Sequence, residues 1–260
     1  MALVIGTSAS VPYIHLQLEA WRRNCAEMPV LIHDDASADA ARLAALCAEY
    51  GAEFYTNATR RGHVPGDMLA YINGLAWAGR MDVELLVKFS RRWIPLTPWQ
   101  GELGRLAFAS QCATFSGRCS ANGFGFRSEC VAIHVPTWIA TDALLPIREA
   151  LARGESLAPE TLADQQPFIL VEGVVHRAAA RAHAARCAEC IAYETDHPPN
   201  RGCGNYAEWP LLGTSRREPR AHLLWHNASR AHEYHRALLQ WGIDRYSAED
   251  FIDPAANLRG

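Results

Sequence analysis

Apolar positions along the first ninety residues recur in two registers, short continuous runs and stripes at helical spacing. Leu3 to Gly6 is an apolar run that stops at Gly-Thr-Ser, as a buried parallel strand does. Ile14, Leu18, Trp21 and Cys25 then recur on one helical face, with Ser10 placed to cap that helix and Pro12 suited to its first turn. Pro29 ends the turn, and Val30 to His33 reads as a second strand. Past Asp34, Asp35 and Ser37, a stripe of Leu43, Leu46, Cys47 and Tyr50 runs to Gly51, and Glu53 to Thr56 predicts a third strand. A polar, glycine-containing loop, NATRRGHVPGD from Asn57 to Asp67, precedes a helix with Met68, Ile72, Leu75 and Gly79, then a strand over Glu84 to Phe89.

Strands alternating with amphipathic helices through short links specify an α/β fold, a Rossmann-like, mostly parallel sheet with helices on both faces. Ligands bind such sheets outside the carboxyl ends of the strands, on the rim that here carries Thr7, Ser8, His33, Asp34, Asp35 and the residues after Val87. Past Pro98 the pattern changes to a smaller mixed C-terminal part. Gly123 to Val135 predicts two short strands or one bulged strand, Asp142 to Arg153 a helix, and Arg177 to Ala192 an Ala-rich helix. His197 to Pro219 reads as loop, HLLWH from His222 as a last strand, and Ala231, Tyr234, Leu238 and Trp241 as one face of a closing helix. Residues 1–97 and 98–260 are expected to be two halves of one compact domain.

Charge and composition narrow the function classes. The formal charge of −3, from 25 basic and 28 acidic residues spread through 260, provides no basic stripe, so nucleic acid is not an expected partner. No run approaches the ~18 apolar residues of a membrane span, and GTSAS interrupts the first apolar run before a signal-peptide core forms. A cytoplasmic location is the expectation. Four of the eight cysteines, Cys25, Cys47, Cys187 and Cys190, sit in apolar-periodic segments, which fits buried free thiols and not a disulfide framework. The CAEC run with His197 and Cys203 offers zinc's preferred ligand types, yet its spacing matches no common zinc module, and no metal site is expected there. Gly-x-Ser-x-Gly and GxxxxGK[ST] are absent, and GFGFR lacks the third glycine of a dinucleotide loop.

The Asp34-Asp35 pair after the second strand is the most informative local feature. Carboxylates there accept hydrogen bonds from a base or ribose while Ser37 caps the next helix; the alternative is that the pair only caps that helix and complements its dipole.

The succession of strand, GTSAS, helix, strand ending in HDDAS, helix, strand, RRGHVPGD loop, helix and strand resembles the GT-A type of nucleotide-diphospho-sugar glycosyltransferase, especially its family-2-like members, over residues 3 to about 96. The resemblance implies a nucleotide-sugar donor, a hydroxyl acceptor and a GT-A-like fold whose C-terminal part is the acceptor side. It implies Thr7, Ser8, Asp34 and Asp35 near the nucleoside, and Gly62, Gly66 and Asp67 near the diphosphate-sugar. The family's Asp-x-Asp, whose carboxylates hold Mg²⁺ or Mn²⁺, is missing: the matching run is LLVKFSRRWIPL, with Lys88, Arg91 and Arg92 in place of the acids. Basic side chains cannot bind a divalent cation but can neutralise a departing diphosphate directly, so metal-independent transfer is coherent chemistry.

For the acceptor's proton, the family would supply a carboxylate base; Glu172 leads, ahead of Asp164, Glu129 and Glu208, with capping of the following helix as its alternative role. His226, His232 and His235 occupy the region where some GT-A enzymes place a metal-binding histidine. The rival readings are a non-catalytic GT-A-like protein that binds a nucleotide or glycan, which the missing Asp-x-Asp favours, and a nucleotidyltransferase, disfavoured because GTSAS lacks a Gly-rich basic signature.

Overall fold

A computed structural model describes residues 1–8, 11–91, 93–95, 98–101, 104, 113–118, 127–155, 157, 170–183, 190–195, 207–208, 222–223 and 231–251. Its first half follows the periodicity: β1 (Ala2–Thr7), α1 (Val11–Cys25), β2 (Val30–Asp34), α2 (Ala40–Tyr50), β3 (Glu53–Thr56), α3 (His63–Arg80) and β4 (Leu85–Ser90). Then come β5 (Ile94–Pro95), β6 (Thr114–Arg118), β7 (Arg127–His134), α4 (Val135–Ala140), α5 (Leu145–Ala152), α6 (Leu170–His183), β8 (Cys190–Thr195), β9 (Ala207–Glu208), β10 (His222–Leu223) and α7 (Ala231–Gln240). A 3₁₀ turn over Ala248–Phe251 follows.

The strands form one sheet in the order β3-β2-β1-β4-β7-β6-β8-β9, while β10 pairs with β5 alone. The four strands β3, β2, β1 and β4 are parallel; β7 runs antiparallel to both β4 and β6, and β8 lies parallel to β6. The chain winds outward from β1 to β3 and then returns to the other side of β1. That reversal, between β1 and β4, is where an open α/β sheet parts its loops and leaves a crevice.

Alternation along the buried strands sends Leu3, Ile5, Val30, Ile32, Val87 and Phe89 against α1 and α2 and Ala2, Val4, Leu31, Leu86, Val131 and Ile133 against α3 to α6. Helix α1 is buried on both sides. Its outer face, Tyr13, Leu16 and Ala20, packs on Tyr234 and Leu238 of α7 and on Phe251, which the single stripe read from sequence does not anticipate. Consequently α1 carries three buried polar side chains, His15, Gln17 and Glu19. Each makes at least one hydrogen bond, although Gln17 Oε1 is buried without a partner.

Several expectations need correction. Ser37 is not the cap of α2: the helix starts at Ala40 after Asp39, which makes no side-chain cap, and the Ser37 N–H is instead held by Asp34 (2.9 Å). The loop before α3 ends at Gly62, so Gly66 and Asp67 lie on the helix; Pro65 in its first turn is tolerated because the N–H it lacks would have no partner there. The Ala-rich helix covers Leu170–His183 rather than Arg177 to Ala192, because its buried stripe begins at Val171 and continues through Val174, Val175, Ala178, Ala179 and Ala182. Cys190 accordingly starts a strand, not a helix end. Strand β6 and helix α4 have no counterpart in the periodicity. Ser10, Arg92, Asp164, Cys187, His197, Cys203 and His226 lie outside the described residues. Cys25, Cys47 and Cys130 are buried free thiols, and burial pushes the first two up to about 12. Among the described residues no helix is long and apolar enough to cross a membrane.

One network fastens the C-terminal segment to α1 and α2. Tyr50 donates its hydroxyl proton to Glu19 (2.9 Å), so His15 Nε2, 2.9 Å from the same hydroxyl, must be the protonated nitrogen. His15 Nδ1 is then an acceptor, for Tyr246 (3.1 Å) and the Arg245 guanidinium (2.9 Å). Burial, then the Arg245 charge, lowers its pKa to about 4, against smaller opposing effects of Glu49 and Glu19. Because an unfolded chain's histidine titrates near 6.5, the unfolded state binds more protons between about 6.5 and 4, and stability falls as pH drops through that window. Urea midpoints measured from pH 7 to 4 should decline in the wild type and decline less steeply in His15→Gln; identical slopes would show that His15 does not contribute.

Candidate functional site

The crevice between β1 and β4 is a cleft of about 120 Å³ lined by Gly6, Thr7 and Ser8, by Asp35, by Gly62, His63, Gly66 and Asp67, and by Ser90 and Arg91. Four chain segments build it: the end of β1, the residue after β2, the start of α3 and the end of β4.

Asp35 ties the second of these to the third. Its carboxylate is 4% exposed and accepts hydrogen bonds from the Asn57 side chain (2.8 Å) and the backbone N–H groups of Arg61 (2.9 Å) and Gly62 (2.9 Å). These partners hold the loop that starts α3, and Gly62 itself turns with φ +89°, a conformation that needs glycine. Gly66 is glycine for a different reason: a Cβ there would lie 2.6 Å from the Asp35 Cγ. Asp34, one residue back, is fully buried and is not part of the cleft lining; its Oδ2 accepts from the Ser37 N–H and the Thr56 hydroxyl (3.0 Å).

The end of β4 is held from α1. Gln17 Nε2 donates to the carbonyls of Ser90 (2.7 Å) and Trp93 (2.8 Å), and Arg91 Nη1 donates to the Ser8 carbonyl (2.9 Å), tying β4 to β1 across the cleft. Lys88 is different. It is 2% exposed, its Nζ lies 2.5 Å from Asp67 Oδ1 and 5.0 Å from the Tyr71 ring centre, and its charge is thereby already balanced. His33, expected on the rim, lies instead behind the cleft: Nε2 accepts from Asn73 (2.9 Å), Tyr55 stacks on the ring at 5.1 Å, and burial lowers its pKa to about 4 despite nearby Asp35 and Asp67.

Of the expected site residues, Thr7, Ser8, Asp35, Gly62, Gly66, Asp67 and Arg91 meet at the cleft. Glu172 is the third residue of α6, Glu129 lies on β7, Glu208 on β9, and His232 and His235 on α7. Sequence reasoning missed Gly6, His63 and Gln17, while Ser90 falls within the rim run after Val87. The first two flank motifs already singled out and were within reach; Gln17 was not, because a glutamine inside an amphipathic helix gives no sign of where its amide points.

The cleft's donors also bear on a divalent cation. Asp35 is surrounded by N–H groups and Asp67 is paired with an ammonium, so neither carboxylate is a suitable ligand for Mg²⁺ or Mn²⁺. Among the described residues no three His, Cys, Asp or Glu side chains gather as a metal site.

No known protein family profile matches the sequence, and no curated relative matches it. Glycosyltransferases are among the solved structures similar to this chain. TarS of S. aureus, in complex with UDP-GlcNAc, is 10% identical over 96% of this chain and 68% of its own, with a TM-score of 0.49. GlyE of Streptococcus pneumoniae is 10% identical over 73% of this chain and 44% of its own (TM-score 0.46), and the galactosyltransferase LgtC, with donor and acceptor sugar analogues, is 10% identical over 74% and 73% (TM-score 0.47). The chain spans about a third of the longer TarS structure (35%) and 59% of TarS 1-349 with UDP. At these identities the likeness is one of fold alone, and each of these TM-scores lies below 0.5.

The contact between Asp35 and Gly66 makes a quantitative prediction. Gly66→Ala should cost about 1–3 kcal/mol of stability as an overpacked substitution, read as a lower urea midpoint. In an Asp35→Ala background the same change should cost much less, since the obstructing carboxylate is gone. Additive losses would mean that the two residues do not oppose one another.

Proposed function

We propose that this chain binds a nucleotide-diphospho-sugar along the C-terminal rim of β1, β2 and β4 and transfers the sugar to a hydroxyl acceptor without a divalent cation. The observation that carries the reading is a group of buried polar atoms without hydrogen-bond partners at the ends of β1 and β2: Asp34 Oδ1, Thr7 Oγ1 and Ser37 Oγ. Thr7 and Asp34 are register partners on adjacent strands, so their side chains leave the same face of the sheet. A buried carboxylate oxygen left without a donor costs roughly 1–3 kcal/mol or more. A nucleobase or ribose, which offers N–H or O–H donors, would remove that cost on binding.

The diphosphate then belongs in the adjoining cleft, against Arg91 and the N-terminal turn of α3, whose dipole favours an anion. Arg91 would stabilise the charge that builds on the leaving diphosphate, the part a metal plays elsewhere. Arg92 would add a second cation. Lys88 serves this reading through Asp67 and not by touching phosphate. Glu172 remains the proposed base, accepting the acceptor's hydroxyl proton as its oxygen attacks the sugar carbon. A second reading, a non-catalytic nucleotide- or glycan-binding protein, is favoured by the Lys88–Asp67 pair standing where a metal-dependent transferase would need carboxylates.

Thermal denaturation with UDP, GDP, CDP or TDP and their sugars tests the donor site, since a ligand bound only by the folded state raises the melting temperature. One nucleotide family should stabilise the protein equally with EDTA and with Mn²⁺. Asp34→Asn should weaken that nucleotide at least tenfold, and Glu172→Gln should abolish turnover while leaving binding intact. No stabilisation by any nucleotide would reject the donor reading, whereas binding without turnover would select the non-catalytic one.

A further inference from the structure

We infer that Asp67, clamped by Lys88, is the specificity-determining residue that reads a hydroxyl of the donor's sugar; the inference rests on the donor reading above. Asp67 faces the cleft from α3. Lys88 takes up its Oδ1, while Oδ2 is buried and has no hydrogen-bond partner. Across the floor, Ser90 stands opposite Gly6 in the β1–β4 register, and its Oγ is likewise buried and unpartnered. Gly6 shares that face of the sheet with Lys88 and Ser90. A Cβ there would come to 3.3 Å from Asp67 Oδ1 and 3.6 Å from Lys88 Cε, so its absence keeps the approach to the pair open.

One carboxylate oxygen and one hydroxyl beside a glycine call for a ligand that both donates and accepts. Adjacent hydroxyls of a sugar ring do both. A phosphate only accepts, and Asp67 would repel it. The ammonium of Lys88 offsets the carboxylate's charge, which lets an acid sit beside a diphosphate, and it fixes one carboxylate oxygen so that the other has a set direction. A site built to bond a hydroxyl rejects analogues lacking it far more strongly than an apolar wall would. Lys88 is therefore a positioning residue for Asp67.

Calorimetric dissociation constants for UDP, GDP, CDP and TDP, each beside its glucose and galactose conjugates, test the assignment in wild type, Asp67→Asn and Ser90→Ala. In the wild type one sugar conjugate should bind at least tenfold more tightly than its bare diphosphate. Both variants should shrink that ratio at least threefold, and neither should weaken binding of the bare diphosphate, since Asp67→Asn removes a carboxylate that opposes it. Should Asp67→Asn fail to fold because Lys88 is left unpaired, Ser90→Ala and the double variant Asp67→Asn, Lys88→Gln carry the same comparison. An unchanged ratio in the folded variants, or a wild-type ratio near one, overturns the inference and leaves the donor site standing. A wild type that binds no bare diphosphate overturns the donor reading, and this inference with it.

Discussion

The carboxylate of Asp35 is the constraint from which the cleft follows. By accepting the N–H groups of Arg61 and Gly62 it fixes where α3 begins, and it admits the helix so closely that residue 66 has to lack a side chain. Farther along, Gly74 repeats the arrangement against Val4 of β1, where a Cβ would stand 3.0 Å from Cγ1. These two close approaches lay α3 against the sheet, and its first turn therefore opens on the crevice between β1 and β4. Asp67 and Gly6 face each other as a result. The same carboxylate that looks from sequence like a ligand contact is, in the fold, the part that builds the cavity.

The other wall depends on α1, whose polar residues work at both ends of the molecule. Gln17 grips the two carbonyls that follow β4, and Arg91 reaches back from that segment to the carbonyl of Ser8. Two residues from Gln17 in either direction, His15 and Glu19 engage Tyr50, Tyr246 and Arg245, so the C-terminal segment and the cleft share one rigid helix. Burying three polar side chains in one helix is costly unless each is satisfied. Here the network sets the rotation of α1, because a turn of the helix about its axis would strand Gln17 and His15 together.

The alternation of short apolar runs and striped helices made the parallel half legible from sequence, since a run such as VLIH and a stripe such as Leu43, Leu46 and Cys47 are set by local periodicity. The ends of elements were less so. Helix α3 starts earlier than its apolar stripe because Asp35, remote in sequence, holds the N–H groups of Arg61 and Gly62 just ahead of it. Strand β6 escaped notice because its identity comes from pairing with β7 and β8, a long-range contact that no local pattern encodes. Most expected cleft residues were found because rim positions in a parallel sheet follow from strand ends. Their division of labour was not, since which carboxylate points outward depends on side-chain direction.

The basic run after β4 shows how such direction alters chemistry. Read linearly, Lys88, Arg91 and Arg92 form one cationic patch where a metal-binding sequence would be acidic. In the fold, strand alternation turns Lys88 toward α3, onto the same face as Val4, its register partner, and as Gly6; it meets Asp67 there, and the two charges cancel in a poorly solvated place. A lone buried ammonium would lose several kcal/mol of hydration; Asp67 offsets that loss, and Lys88 in turn makes an acid tolerable in a cleft suited to anions. Each charge is thus the condition for the other. On the proposed reading, Arg91 and the dipole of α3 would serve the diphosphate and Asp67 a hydroxyl beside it, two tasks that a single cationic patch could not supply.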